Sequence, residues 1–249
     1  EEEPYQKLQK MMNAPNGIIY ITGPTGSGKT TTLYMILEEL ARRPVNISTI
    51  EDPVERRIAK VNQMQTNNAA GITFGVGLRA LLRQDPDIIM LGETRDAETA
   101  EISIRAAITG HLVLSTLHTN DAVSSIVRLE DMGIPPYLVA NSLVGIVAQR
   151  LVRKVCPSCA YEVEPTAEES AVIGSEIRRI RRGRGCRVCN NTGYKGRVSI
   201  HEIVNVDKTL KRMIAKNADA DEMEEYVRRE QGMKTLFQSA VELVAKGIT

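Results

Sequence analysis

Residues 23–30 read Gly-Pro-Thr-Gly-Ser-Gly-Lys-Thr, a complete G-x-x-x-x-G-K-[ST] phosphate loop. Such a loop does chemistry mostly with its backbone. Gly23, Gly26 and Gly28 let the chain bend until successive N–H groups point at phosphate oxygens. The N-terminal end of the following helix adds partial positive charge. Lys29 reaches the outer phosphates and Thr30 offers a hydroxyl to Mg²⁺, while Pro24, Thr25, Ser27 and Thr31 complete the cradle. The flanking segments fit: Gly17-Ile18-Ile19-Tyr20-Ile21-Thr22 reads as a buried strand, and the residues after Lys29 as a helix. The ligand implied is a nucleoside triphosphate.

A phosphate loop needs a carboxylate to hold Mg²⁺ or to aim the attacking water. Asp87-Ile88-Ile89-Met90-Leu91-Gly92-Glu93 is an apolar strand with an acid at each end. Glu93, at the carboxyl end, is the candidate for Mg²⁺ and water, and Asp87, a strand length away, reads as structural. A second cluster, Glu51-Asp52-Pro53-Val54-Glu55, ends another apolar strand and offers Glu51 and Glu55 as general bases. The alternatives are a surface carboxylate at Glu93 and a charged turn at 51–55. The stretch Gly110–Asn120 puts His111 and His118 at opposite ends of one strand. His118 is placed to sense a γ-phosphate; His111 faces away unless the sheet twists or a neighbouring subunit approaches it.

Cys156-x-x-Cys159 and Cys186-x-x-Cys189, 26 residues apart, can wrap two edges of a tetrahedral Zn²⁺. A four-thiolate site leaves no open position, so its role is structural. Redox thiols or plain buried cysteines are the other readings. Six of the ten residues 178–187 are arginine, with nothing aromatic interleaved for stacking on bases. A solvated face or a dock for an acidic partner fits better than a nucleic-acid grip.

The elements that must position these groups alternate from residue 17 to about 150. Strand-like segments at 17–22, 45–50, 87–91 and 111–116 interleave with helical ones at 29–42, 75–84, 96–109 and 120–132. That alternation predicts an α/β fold with a mostly parallel sheet, helices on both faces and ligands at the carboxyl strand ends. The character changes near residue 150. The expected organisation is a 1–14 stub of an upstream domain or linker, a 15–150 ATPase-type core, a 151–205 tetracysteine zinc-binding region and a 206–249 helical C-terminal subdomain. With 32 basic against 31 acidic residues, the net charge of +1 argues against bulk binding of nucleic acid or anionic lipid. No apolar run reaches the length of a membrane span and residues 1–12 are not a signal peptide, so a cytoplasmic chain is expected.

Four blocks in order resemble the secretion ATPases that power type II secretion and type IV pilus assembly. They are Gly23–Thr30; Thr49-Ile50-Glu51-Asp52-Pro53-Val54-Glu55, similar to that family's aspartate box; Leu82–Asp96, similar to its Walker B segment; and Thr109–Asn120, similar to its histidine box. The Gly92-Glu93 ending of the third block is the family pattern, and both histidines gain weight. The resemblance implies a RecA-like core, ATP hydrolysis with Mg²⁺ and ADP as product, a bound Zn²⁺ of the assembly type, and coupling to extension of a pilus or pseudopilus. It further implies a homo-hexamer in the full-length form and an inner-membrane assembly platform protein as partner, without direct membrane insertion. In that family an N-terminal domain supplies arginines to a neighbour's nucleotide. Only a stub corresponds to it here, so weak activity and no stable hexamer are expected of this chain alone. The rivals are a zinc-containing nucleic-acid translocase and a nucleotide switch that does not hydrolyse.

Overall fold

The structure is a computed structural model describing residues 2–249, with side chains from Pro4 onward. Glu1, part of the expected 1–14 stub, lies outside the described residues. By contacts the chain divides into a first unit, residues 1–149 and 202–233, and a second, residues 150–201 and 234–249.

The first unit opens with helix α1 (Glu2–Met12), then strand β1 (Gly17–Thr22) and α2 (Lys29–Leu40). There follow β2 (Ile47–Glu51), β3 (Val61–Gln65), α3 (Phe74–Leu81), β4 (Ile88–Leu91), α4 (Ala97–Ile108) and β5 (Leu112–Leu117). Next come α5 (Ser124–Asp131), α6 (Pro136–Ser142) and β6 (Leu143–Val155), whose last residues enter the second unit. The second unit adds β7 (Ala160–Val163), α7 (Ala167–Ile173), β8 (Ile180–Gly183) and the start of β9 (Tyr194–Asn205). Helices α8 (Lys208–Ala215) and α9 (Ala220–Glu230) belong to the first unit, α10 (Leu236–Ala245) to the second.

The main sheet runs β3-β2-β4-β5-β1-β6-β9, and β1/β5, β1/β6, β2/β3, β2/β4 and β4/β5 all pair parallel. This is the expected α/β core. Strands β1, β2, β4 and β5 are buried along their whole lengths; β4 (IIML) is apolar throughout, whereas β2 and β5 carry buried serine and threonine. Successive residues of β1 feed opposite faces. Ile18 and Tyr20 pack among α4, α5, α6, α8 and α9, while Ile19 and Ile21 pack among α2 and Met11 and Met12 of α1. A third cluster sets α3 on β2 and β4 through Leu78, Leu81, Ile50 and Leu91. There the helix lies so close that a Cβ on Gly77 would fall 1.9 Å from Ile50 Cδ1.

The second unit is small. Its β7 and β8 pair antiparallel from Ala160↔Gly183 to Val163↔Ile180. Thr166 and Glu169 form a reciprocal capping box at the start of α7, and Arg182 grips Glu169 at 2.6 Å. The unit carries 13 basic and 6 acidic residues, against 19 and 25 in the first unit.

Candidate functional site

The phosphate loop leaves the carboxyl end of β1 and runs into α2. Its glycines hold left-handed or otherwise positive φ: Gly23 at 146°, Gly26 at 78° and Gly28 at 88°. Gly23 is doubly constrained, because a Cβ there would lie 2.4 Å from Gln149 O and 2.7 Å from Ser27 Oγ. Lys29, at 9% exposure, donates from Nζ to the carbonyls of Gly23 (2.8 Å) and Pro24 (3.1 Å) across the loop. Pro24, Thr25 and Gly26 are exposed at the rim, as is Thr31 on the helix; Thr30 is half-buried.

Two observations test whether a phosphate chain fits. No side chain caps α2 at Gly28, and no acidic residue lies in its first turn, so the leading N–H groups keep their affinity for an anion. Ser27 Oγ is buried with no hydrogen-bond partner among the described residues. Both fit a phosphate-binding loop.

The neighbouring strand ends are knitted together by threonines. Thr22 Oγ1 donates to Leu117 O at 3.1 Å and accepts the N–H of Thr119 at 3.0 Å, tying the end of β1 to that of β5. Thr116 Oγ1 donates to Gly92 O at 2.8 Å, tying β5 to β4. This lacing brings Glu93 and His118 together: His118 Nε2 lies 2.9 Å from Glu93 Oε1, and Arg95 Nε donates to Glu93 Oε2 at 2.7 Å. Glu93 keeps 19% side-chain exposure, enough to meet water or a metal. Its oxygens and the Thr30 hydroxyl are hard donors suited to Mg²⁺.

The two acids of the 51–55 segment differ sharply. Glu51 is 3% exposed and receives Thr49 Oγ1 at 2.5 Å, Gln63 Nε2 at 3.0 Å and the Tyr34 hydroxyl. Burial, and then the Glu51 carboxylate, raise the Tyr34 pKa, so its hydroxyl stays a neutral donor. The same hydroxyl accepts the N–H of Glu55 at 3.1 Å, while the Glu55 side chain is exposed. Tyr34 and Gln63 were invisible as site residues, since neither belongs to a motif.

His111 sits at the amino end of β5, with Nδ1 3.0 Å from Ala106 O, at the opposite end of that strand from His118. Asp87 accepts the N–H of Asn46 at 2.6 Å beside the start of β4.

In the second unit the four cysteine sulfurs all lie within 4.8 Å of one another. Sγ separations are 3.9 Å for Cys156–Cys186, 3.9 Å for Cys159–Cys189 and 3.7 Å for Cys186–Cys189. A tetrahedron with Zn–S bonds of 2.3 Å has edges of about 3.8 Å. Disulfide sulfurs would stand about 2 Å apart, so these are four free thiols in a spacing compatible with metal ligation. Burial pushes the Cys159 thiol up to about 12. For Cys189, desolvation is outweighed by the N–H groups of Cys186 (3.2 Å) and Gly193 (3.3 Å), which hold it at about 6. The thiol set fits Zn²⁺.

Comparison with known proteins agrees with this geometry. The family model described as "Type II/IV secretion system protein" matches residues 1–249. The type IV pilus assembly ATPase PilB of Thermus thermophilus is 48% identical over 250 residues, covering 98% of this chain and 28% of its own length. The type II secretion system ATPase E of Vibrio cholerae is 45% identical over 248 residues, covering 98% of this chain and 49% of its own. Among solved structures, the pilus retraction motor PilT with bound ADP superposes with a TM-score of 0.73 at 30% identity, over 98% of this chain and 61% of its own. The ATPase DotB of Legionella pneumophila follows at 0.69 and 25% identity, over 98% and 60%. This chain therefore spans half or less of the two named sequence relatives. On the family match and these identities, the chain belongs to the type II/IV secretion system protein family.

Proposed function

We propose that this chain is the ATP-hydrolysing motor part of a type IV pilus assembly or type II secretion system, coupling ATP turnover to extension of a pilus or pseudopilus. One observation carries the reading: a phosphate loop on β1 and the Glu93–His118 pair share the carboxyl end of one parallel sheet.

In this reading the loop N–H groups, Ser27 Oγ and Lys29 bind the β- and γ-phosphates of ATP. Mg²⁺, held through Thr30 and Glu93, would neutralise charge on the phosphate oxygens. Glu93 takes the proton of the attacking water, and His118 fixes the orientation of that carboxylate and meets the γ-phosphate. Glu55, exposed on its loop, is the second candidate base. Glu51, saturated by three donors, holds that loop in place. Zn²⁺ on Cys156, Cys159, Cys186 and Cys189 would lock the second unit, whose own buried apolar set is small.

The full-length protein is proposed to act as a homo-hexamer on the cytoplasmic side of the inner membrane, engaging an assembly platform protein. Among the described residues no helix is long and apolar enough to cross a membrane. Against the nucleic-acid translocase, the tyrosines of the second unit do not stand free for bases. Arg184 lies over Tyr161 at 4.7 Å and Arg153 over Tyr194 at 4.1 Å.

The test is a titration of ATP and ADP with Mg²⁺ against the wild type and Lys29→Ala, with phosphate release measured in parallel. Affinity is expected in the wild type and to fall by about a hundredfold in the variant, through loss of a cation at the phosphates. Equal affinity in both would refute the loop as the nucleotide site.

A further inference from the structure

We propose that Gln149 is a positioning residue for phosphate binding, bracketing the phosphate loop from the neighbouring strand. The proposal rests on the nucleotide reading above and deepens it.

Gln149 lies on β6, just past the pairing Thr22↔Ala148 that sets this strand beside β1. It is 2% exposed, following Ile146, Val147 and Ala148 in an apolar stretch. A buried amide must satisfy both its ends. Here both ends go to the loop and its helix. Gln149 Nε2 donates to Ser27 O at 2.7 Å, and Oε1 accepts the Thr32 hydroxyl at 2.7 Å. Its backbone carbonyl presses on Gly23, 2.4 Å from where a Cβ would stand. One residue thus touches the first glycine of the loop, its middle and the first turn of α2.

The consequence follows from peptide geometry. In a trans peptide the C=O and the next N–H point in opposite directions. Anchoring Ser27 C=O on Gln149 therefore turns the Gly28 N–H away from β6. The Thr32 bond fixes the first turn of α2 in the same frame, so the loop amides and the helix N-terminus are held as one unit. A loop without this anchor would have to order its own peptides when phosphate binds, and affinity would fall by that ordering cost. The buried Ser27 carbonyl would also lose its donor.

The experiment compares wild type with Gln149→Met, Gln149→Glu and Thr32→Val, titrating ADP and inorganic tripolyphosphate by calorimetry. Methionine keeps the length and removes both bonds. Glutamate can still accept from Thr32 but cannot donate to Ser27 when ionised. Affinity for both probes is expected to drop about tenfold or more in the two Gln149 variants and several-fold in Thr32→Val. Turnover at saturating ATP should change much less, so the loss appears in KM rather than kcat, and the Gly28 amide should exchange faster in the Met variant. A purely structural role would lower melting temperature and leave tripolyphosphate affinity alone. Wild-type affinity for both probes in a folded Gln149→Met overturns the proposal. If that variant does not fold, Thr32→Val decides, and unchanged affinity there overturns it equally. A wild type that binds neither probe overturns the nucleotide reading itself, and the bracket with it.

Discussion

Removing the zinc proposed for the second unit is expected to unfold its two cysteine turns while leaving the parallel sheet intact. The magnitude follows from the sulfur geometry. Three Sγ pairs, 3.7–3.9 Å apart, match the roughly 3.8 Å edge of a zinc tetrathiolate, so the folded chain presents its ligands with little rearrangement. Structural zinc contributes about 10–16 kcal/mol of apparent binding free energy at neutral pH, all of it counted towards folding where no site exists in the unfolded chain. Cys186 takes part in two of these three pairs, as does Cys189. If the four thiolates share the binding equally, Cys186→Ala costs about 2.5–4 kcal/mol, a quarter of that range. Among the described residues the unit buries few other apolar side chains, chiefly Val155, Ile180, Ile200 and Leu243, so little remains to hold it. Elemental analysis should find about one zinc per chain, consistent with a single four-ligand site. Hydrogen exchange with and without a chelator reads the outcome. Protection at Cys159, Cys189 and Asn191, whose N–H groups close the turns, should be lost, while that of β1 and β5 persists. A metal-free chain that keeps protection in both turns would refute the reasoning.

Other outcomes follow from the same contacts. Glu93→Gln is expected to keep ATP affinity and lower single-turnover phosphate release by about 10²–10⁴, the usual worth of a positioned base. Rates within a factor of about three of wild type would remove Glu93 from that role. Gly77→Ala should destabilise the first unit by about 1–3 kcal/mol, because its methyl meets Ile50 Cδ1 at 1.9 Å, and denaturant melts would show it. Asp207 supplies a pH test. Its desolvation is outweighed by the N–H of Leu210, the Tyr226 hydroxyl, the N–H of Thr209 and Gln231, so its pKa falls below the ordinary 3.8. A depressed carboxylate stabilises the fold above its unfolded value and loses that contribution as pH falls through the folded one. The stability difference between wild type and Asp207→Asn should therefore hold at neutral pH and shrink below about pH 4. A pH-independent difference would contradict this.

What was readable in the sequence was whatever the backbone or coordination chemistry forces into fixed spacing. The glycines of the phosphate loop are required because their φ values are positive, and the two C-x-x-C pairs because four thiols must reach one point. Among the fully buried strands, Ile88–Leu91 and the Ile18–Ile21 stretch of β1 announced themselves as apolar runs. Less visible were elements whose residues answer to a neighbour. Val61–Gln65 reads Val-Asn-Gln-Met-Gln, without a clean two-residue alternation, and its strand pairs in parallel with β2. The run Leu143–Val155 is equally apolar in a strand or a buried helix, and pairing with β1 decides. Amphipathic helices near the C-terminus could be recognised, but an apolar stripe does not say which unit it will cover. In the site, Glu51 and Glu55 look alike as carboxylates four residues apart. Only the converging donors Tyr34, Thr49 and Gln63 distinguish them. Gln149 carries no motif at all, since its partners are a backbone carbonyl and a threonine more than a hundred residues earlier.

The uneven split of ionic side chains between the units has a bearing on handling as well as on association. A formal charge of +1 suggests a molecule indifferent to ion exchangers near neutral pH. Yet 13 cationic against 6 anionic groups in one unit, and 19 against 25 in the other, give the two units net charges of opposite sign. Such a molecule is expected to adhere to both sulfonate and quaternary-amine resins in dilute buffer, an attraction that should fade as salt shortens the Debye length to about 8 Å at physiological ionic strength. Its isoelectric point is an average over two surfaces, neither of which is neutral.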